Sequence, residues 1–265
     1  MGSSSAKGGL DPFVTSPPSI LLIAHPGHEL LLHGWLQTER PVVAAITDGS
    51  GGSGFDRTAY SRAVIESAGG SCSAIFGVLS DRECYASILG QDNTVFGIWL
   101  SRLTDEIVRL SSPVLICDPL EFYNPMHDLV NALGHAAARA AEARLLRPVE
   151  VLSYPIIRPH PGSKAVTVPL SSKASEQKWN AAKQYAPLSA EVEAFDHVLR
   201  SAVETLFLDE AFAWPDASPE PVGYELVGRN RIQSGRYSDL ITYADHVAPI
   251  ARNLLQSSGF PETSP

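Results

Sequence analysis

The sequence predicts an α/β protein in which helices cover both faces of a mostly parallel sheet. Two observations lead to this fold class: short, continuous apolar runs recur as far as residue 155, and segments with helical periodicity separate them. A run that is apolar at every position suits a strand buried on both faces. Because strands and helices alternate and crossover connections are right-handed, a Rossmann-like layered arrangement follows.

The elements before residue 156 follow one another as strand and helix. Strands are predicted over residues 19–24, 41–47, 74–79, 113–117 and 149–155, and helices over 29–36, 57–68, 98–110 and 128–145. The helix over 98–110 has the clearest helical period, with apolar residues three and four positions apart. Each strand therefore has a helix available for its crossover to the next.

Beyond residue 155 the pattern is looser. Residues 166–170 are predicted to form another strand, 175–185 and 192–207 helices, and 224–240 an extended segment before a final helix. The sequence contains no internal repeat and no long linker, so residues 19–265 are expected to form one domain with a C-terminal elaboration. Residues 1–18, rich in Ser, Gly and Pro, are expected to be a flexible tail or a cloning remnant.

Composition excludes several classes of protein. The chain has 265 residues, 44% hydrophobic and 18% charged, which is typical of globular proteins. A net charge of −9 and the lack of a basic cluster argue against nucleic-acid binding. No apolar run reaches the roughly 18–20 residues of a membrane-spanning helix. The three cysteines are too few and too irregularly spaced for a disulfide framework, so a reducing, cytoplasmic location is expected.

Three histidines fall where an α/β sheet places its ligands. Ligands bind at the carboxyl ends of the strands, and His25, His28 and His127 lie in loops that follow the first and fourth predicted strands. Three neutral imidazoles that converge on one point form a zinc site with an open fourth position. The alternative is that these histidines cap helices or bind loop carbonyls. The glycine-rich loop 48–54 lacks the lysine of a phosphate-binding loop and is expected to frame a pocket.

The order of these motifs resembles the PIG-L/LmbE-like family of zinc-dependent N-deacetylases. That family carries HPDDE after its first strand and an HPDH-like segment after its fourth. The corresponding segments here are HPGHE at 25–29 and NPMH at 124–127. Between them, Thr47-Asp48-Gly49 with its glycine-rich loop and Leu79-Ser80-Asp81 match further landmarks in order.

The resemblance implies a metal site with an altered ligand set. His25 and His127 match two ligands of the family, and His28 stands where the family has a ligating aspartate. The exchange of an aspartate for a neutral imidazole raises the net charge of a zinc site by one. A lower pKa of the bound water is expected as a result.

The resemblance also shows what the chain has lost. Gly27 stands at the position of the family's general base, an aspartate, and glycine has no side chain that accepts a proton. Asn124 stands where the family often has a histidine that stabilises the oxyanion, and its amide can still donate a hydrogen bond. The carboxylates of Glu29, Asp128 and Asp48 are the candidates for a displaced base.

Three interpretations of function are open at this point. The first is an active metal-dependent hydrolase of N-acylated amino sugars or glycoconjugates. The second is a metal- or sugar-binding protein on the same fold without activity, and the third is a purely structural role for the histidines. Arg62, Asp81, Tyr123 and His160 are predicted to contact a sugar-sized substrate. The C-terminal segment from Tyr224 is expected to form either a lid or an arm packed on the sheet edge.

Overall fold

The computed structural model describes residues 16–51, 54–157, 164–208, 212–218 and 221–259. Its centre is one seven-stranded sheet. The strands are β1 (Ile20–Ile23), β2 (Val42–Thr47), β3 (Ser71–Leu79), β4 (Val114–Cys117), β5 (Glu150–Ser153), β6 (Lys164–Pro169) and β7 (Val203–Leu208). They are ordered β3-β2-β1-β4-β5-β7-β6. The first five run parallel, whereas β7 is antiparallel to both β5 and β6.

Ten α-helices lie along the described parts of the chain. They are α1 (His33–Glu39), α2 (Thr58–Ser67), α3 (Asp81–Leu89), α4 (Asn93–Leu110), α5 (Pro125–Leu145), α6 (Ser172–Gln184), α7 (Ser189–Ala194), α8 (Asp196–Leu199), α9 (Gly223–Gln233) and α10 (Ala248–Ser257). A 3₁₀ turn, His28–Leu32, leads into α1, and a second, Ala186–Leu188, leads into α7. A π-helical turn, Tyr243–Val247, leads into α10. None of the described helices has the length and apolar character needed to cross a bilayer.

The strand β1 shows why the sheet is covered on both faces. All four of its residues are completely buried. Because side chains alternate along a strand, Leu22 packs with α3, α4, α5 and α10, whereas Leu21 packs with α1 and α2. Full burial of a Leu or Ile side chain contributes about 1.5–3 kcal/mol. The predicted fold class, a mostly parallel sheet with helices on both faces, is confirmed.

The predicted elements before residue 156 are all present, with bounds shifted by a few residues. The sequence prediction missed α3. Its start is nevertheless encoded by a capping box, in which the Ser80 hydroxyl accepts from the Glu83 amide and the Glu83 carboxylate accepts from Ser80. Only three of its nine residues, Asp81, Cys84 and Ile88, are buried, so its apolar periodicity is weak.

Two predictions in the C-terminal part are wrong. Residues 192–207 do not form one helix, since α7, α8 and the strand β7 share this segment. Pairing with β5 and β6 on either side holds β7 extended despite its sequence pattern. Residues 224–240 are not extended, because α9 covers most of them. An ion pair one turn apart, Glu225 with Arg229 at 2.9 Å, supports this helix.

Candidate metal centre

The three histidines predicted to bind a metal do meet in the structure. His25 follows β1, His28 opens the 3₁₀ turn behind it, and His127 lies in the first turn of α5 behind β4. β1 and β4 are adjacent and parallel, so these segments emerge at the same edge of the sheet. The ring centroids are 5.6 Å apart for His25 and His28, 5.4 Å for His25 and His127, and 4.6 Å for His28 and His127.

The hydrogen bonds of His25 assign its tautomer. Its Nδ1 lies 2.9 Å from Oδ1 of Asp81 and 2.8 Å from Oγ1 of Thr47. The Thr47 hydroxyl donates its proton to the carbonyl of Ala24 at 3.0 Å, so it accepts from the imidazole. Nδ1 of His25 therefore carries the hydrogen. Nε2 is left with a lone pair, which is the state required of a metal ligand.

Asp81, predicted to contact substrate, orients His25. Its second oxygen, Oδ2, accepts from the Gly51 amide at 2.6 Å, which ties the glycine-rich loop to the site. Burial raises the pKa of Asp81, but the hydrogen bond and charge of His25, together with Thr47 and Gly51, outweigh it and hold this pKa well below its usual value. Asp81 is therefore an ionised acceptor that fixes the imidazole.

His28 is oriented in the same way by Asp118. Its Nδ1 lies 3.1 and 3.0 Å from the two oxygens of that carboxylate. Asp118 is fully buried and also accepts from the Tyr154 hydroxyl and, at 2.9 Å, from the Ala24 amide. Burial raises the pKa of Asp118, but the charge and hydrogen bond of His28 prevail and lower it to about 2. Asp118 was not singled out from the sequence, although it directly follows β4.

His127 has an unsatisfied ring nitrogen. Only 4% of the residue is exposed, and its Nδ1 is buried with no hydrogen-bond partner among the described residues. Burial, and then the neighbouring His28, lower its pKa well below 6.5. The imidazole is therefore neutral, with a desolvated nitrogen that a metal ion can satisfy.

These side chains fit a divalent metal ion. Potential ligand atoms of His28, Asp118 and His127 lie within 4.8 Å of one another, which makes a His-Asp-His cluster able to hold such an ion. Asp118 already accepts from three donors. Nε2 of His25 carries a lone pair at the same place and faces the Asn124 amide at 3.4 Å. A metal-binding histidine usually donates its other ring N–H to a carboxylate. His25 and His28 both have this arrangement, with Asp81 and Asp118.

Asn124 lies against this cluster. It is the N-cap of α5, where its Oδ1 accepts from the Met126 amide at 2.8 Å. Its Nδ2 lies 3.4 Å from Nε2 of His25, and the Tyr85 hydroxyl lies 3.4 Å from its Oδ1. Tyr85 was missed from the sequence because it belongs to α3, the helix that periodicity did not reveal.

Two of the three carboxylates predicted as bases are held by backbone amides of neighbouring loops. Glu29 is completely buried, and its Oε2 accepts from the Gly27 amide at 2.7 Å. Asp128 is equally buried, and its Oδ1 accepts from the amides of Glu121 and Phe122, both at 3.1 Å. Burial raises the pKa of both carboxyls, and the amide hydrogen bonds only partly oppose it.

The third carboxylate, Asp48, is half-buried at the end of β2. Its Oδ1 accepts from the Ser50 amide at 2.8 Å and from the Asp81 amide at 3.2 Å. It thus joins the glycine-rich loop to the start of α3. No hydrogen bond among the described residues joins any of the three carboxylates to the three histidines.

The remaining predicted substrate contacts lie at different places. The guanidinium of Arg62 lies on the exposed side of α2, 4.6 Å from the ring centroid of Phe76. Tyr123 is 48% exposed and immediately precedes Asn124, at the rim of the site. His160 lies outside the described residues.

Gly27 has a conformation and a neighbour that exclude a side chain. Its φ is +117°, in the region that favours glycine. A Cβ at this position would lie 2.3 Å from Cδ1 of Leu188, in the 3₁₀ turn before α7. Leu188 therefore fills the space into which a residue at position 27 would project.

Comparison with known proteins identifies the fold. No protein-family model and no curated protein matches the sequence. Among solved structures, the conserved protein TT1542 from Thermus thermophilus has 17% sequence identity and a TM-score of 0.51, over 77% of this chain and 100% of that chain. A deacetylase of the teicoplanin biosynthesis pathway has 13% identity and a TM-score of 0.46, over 73% of this chain and 100% of that chain. The similarity to TT1542 shows a shared fold.

Proposed function

We propose that this protein is a metal-dependent amide hydrolase that removes the acyl group from an N-acylated amino sugar or glycoconjugate. The observation that carries the proposal is the convergence of His25, His28 and His127, two of them locked at Nδ1 by buried carboxylates. The resemblance of HPGHE and NPMH to the motifs of the PIG-L/LmbE-like deacetylases supports the reaction class and substrate. The expected location is the cytoplasm, as the cysteine content indicates.

The proposed ligands are the three imidazoles, with Zn²⁺ or a similar divalent ion. Asp118 is assigned to the outer shell, because its two oxygens already accept from three donors, one of which is Nδ1 of the proposed ligand His28. Nε2 of His25 carries a lone pair, which faces only the Asn124 amide at 3.4 Å among the described residues. A divalent ion held by three neutral ligands keeps its full charge, with which it polarises a carbonyl and acidifies water.

The chain's own residues supply position and hydrogen bonding. Asp81 and Asp118 hold two imidazoles in the tautomer that binds metal. The Asn124 amide, 3.4 Å from His25, is placed to donate to the oxygen of a substrate carbonyl as negative charge develops there. Glu29, Asp128 and Asp48 each bind backbone amides. We propose that the higher charge of the three-imidazole site offsets the absent base at position 27.

Metal content and hydrolysis test the proposal together. Purified protein is expected to hold close to one zinc or similar ion per chain by elemental analysis. It should release acetate or another small acid from at least one member of a panel of N-acyl amino sugars, and a chelator should stop this release. His127→Ala is expected to weaken Co²⁺ binding more than about 100-fold, since outer-shell changes alone cost 10–100-fold.

The control is His197→Ala, an exposed histidine on α8, which should bind Co²⁺ like the wild type. Unchanged metal content in His127→Ala would refute the metal site. A metal-loaded wild type that binds N-acyl sugars but hydrolyses none of them would refute the enzymatic activity and favour a binding protein.

A further inference from the structure

Helix α3 presents two polar side chains to the metal centre. Asp81 and Tyr85 are four residues apart, so they share one face of the helix. Asp81 bonds to His25, and the hydroxyl of Tyr85 lies 3.4 Å from Oδ1 of Asn124. Helix α3 therefore contacts both His25, a proposed metal ligand, and Asn124, which lies beside His25.

The hydrogen bonds around Asn124 determine which way its amide faces. Its Oδ1 has two lone pairs, and the donors facing them are the Met126 amide and the Tyr85 hydroxyl. Its Nδ2 faces Nε2 of His25, which is unprotonated because Nδ1 carries the hydrogen. A rotation of the amide by half a turn would place Oδ1 against the lone pair of His25 Nε2 and an N–H group against the Met126 N–H, so both of these contacts would be lost. The observed orientation is thus the one that satisfies every partner.

We propose that Tyr85 is a positioning residue, whose hydroxyl donates to Oδ1 of Asn124 and so keeps the N–H groups of that amide directed at the side of the site where His25 lies. Its role in turnover rests on the proposed function, since an amide held in this way donates to the substrate carbonyl. The orientation of Asn124 itself does not depend on any reaction.

Other features of Tyr85 agree with a role as a permanent donor. Burial, and then the negative charge of Asp81, raise the pKa of its phenol, so the hydroxyl keeps its proton throughout the physiological range. The Met126 bond alone leaves one lone pair of Asn124 unused. Because the contact of 3.4 Å is long for a hydroxyl hydrogen bond, the expected contribution is modest.

Kinetics of three variants test the positioning role. Tyr85→Phe is expected to lower kcat by about two- to tenfold with little change in KM. Asn124→Ala should lower kcat by about 100-fold, the usual effect of removing one oxyanion donor. The double variant should be no slower than Asn124→Ala, because without the amide there is nothing left to orient. A multiplied loss in the double variant would overturn the proposal.

Nuclear magnetic resonance tests the orientation without any turnover. The side-chain ¹H–¹⁵N signal of Asn124, assigned by its loss in Asn124→Ala, should shift in Tyr85→Phe, while Co²⁺ affinity stays as in the wild type. Tyr243→Phe is the matched control: it also removes one tyrosine hydroxyl, which donates to the Pro215 carbonyl at 2.7 Å, and it should leave the Asn124 signal unmoved. An unshifted signal in folded Tyr85→Phe would overturn the proposal.

A second variant covers the case in which Tyr85→Phe is poorly folded. Asn124→Asp keeps the helix cap and the acceptor for Tyr85 but removes the N–H donor, so it should be about as slow as Asn124→Ala. Retained activity in Asn124→Asp would overturn the proposal. If the wild type hydrolyses no N-acyl sugar, the proposed function fails by itself, and the amide signal still decides whether Tyr85 orients Asn124.

Discussion

The parallel and antiparallel parts of the sheet contribute differently to the metal centre. The three histidines, Asp118 and Asn124 all follow the parallel strands β1 and β4. The antiparallel pair β6–β7 and its helices provide none of these groups. They instead contact the segment behind the histidines, through Glu204 and Lys178, which bond to its backbone, and through Leu188, which lies beside Gly27. The comparison teaches that the parallel part of the sheet positions the candidate metal ligands, while the antiparallel part holds the segment that follows β1 in place.

A buried ion pair between Glu204 and Lys178 links β7 and α6 to the segment that follows β1. Glu204 on β7 accepts from the amides of Gly34 and Trp35 at 3.0 and 2.8 Å, at the start of α1. It also lies 2.9 Å from Nζ of Lys178 on α6, which donates to the Leu31 carbonyl at 2.7 Å. Both charged side chains are almost completely buried. The junction between the His28 turn and α1 is therefore fastened to the antiparallel edge.

The largest expected effect comes from breaking this pair on one side. Lys178→Met leaves the Glu204 charge buried without its partner, which should lower the free energy of unfolding by about 3–5 kcal/mol. Urea denaturation measures this change. Lys173→Met, an exposed lysine on the same helix, is the control and should stay within about 0.5 kcal/mol. If Lys178→Met were as stable as this control, the ion pair would not stabilise the junction between the His28 turn and α1.

The next effect is a dependence of stability on pH from His33, the first residue of α1. Burial, followed by the charge of Lys178, lowers its pKa from 6.5 to about 4. The unfolded chain therefore binds the proton first, and the free energy of unfolding falls as pH falls from 6.5 to 4, by up to about 3 kcal/mol. At pH values below the pKa of His33 in the folded protein, the free energy of unfolding falls no further from this residue.

His33→Gln should remove this part of the pH dependence. The measurement is urea denaturation at pH 7 and pH about 4.5, with chelator present so that the proposed metal ligands titrate alike in every variant. His197→Gln, on the exposed part of α8, should behave like the wild type. Equal pH slopes for His33→Gln and the wild type would show that His33 takes up no proton in this range.

The smallest effect concerns the contact between Leu188 and position 27. Gly27→Asp adds a side chain at positive φ, which costs about 1–2 kcal/mol, and it also meets Leu188. Leu188→Ala should relieve only the second cost, so the two substitutions should couple favourably by about 1 kcal/mol in a double-mutant cycle. Hydrolysis should rise above the wild type only in the double variant, where the new carboxylate has room. Additive stabilities would contradict the packing described here.

The parallel and antiparallel parts of the sheet also differ in how well the sequence predicted them. β1, β2 and β4 are buried on both faces and therefore consist of continuous apolar runs. β7 contains Glu204, whose burial depends on Lys178, a residue on another element. The sequence pattern alone did not separate this strand from the helical residues before it, and one helix was predicted for 192–207. The extended form of β7, which depends on pairing with β5 and β6, was misassigned for this reason.

The site was predictable to the extent that it depends on local position. His25, His28 and His127 could be found because each lies at the end of a strand or the start of a helix. The bond between His28 and Asp118 depends on β1 and β4 being neighbours, which the order of segments along one chain does not specify. The role predicted for Arg62 stays a prediction; its guanidinium lies on the exposed side of α2, over the ring of Phe76.

The contact between Gly27 and Leu188 also bears on the mutational routes open to this chain. A carboxylate introduced first at position 27 meets a leucine, whereas a small residue introduced first at position 188 leaves a cavity beside Leu30, Val64 and Tyr185. Each first step lowers stability, and only the pair together restores the packing. The double variant then keeps only the cost of a side chain at positive φ at position 27. A change at position 27 is therefore constrained by the residue at position 188 as well as by its own backbone conformation.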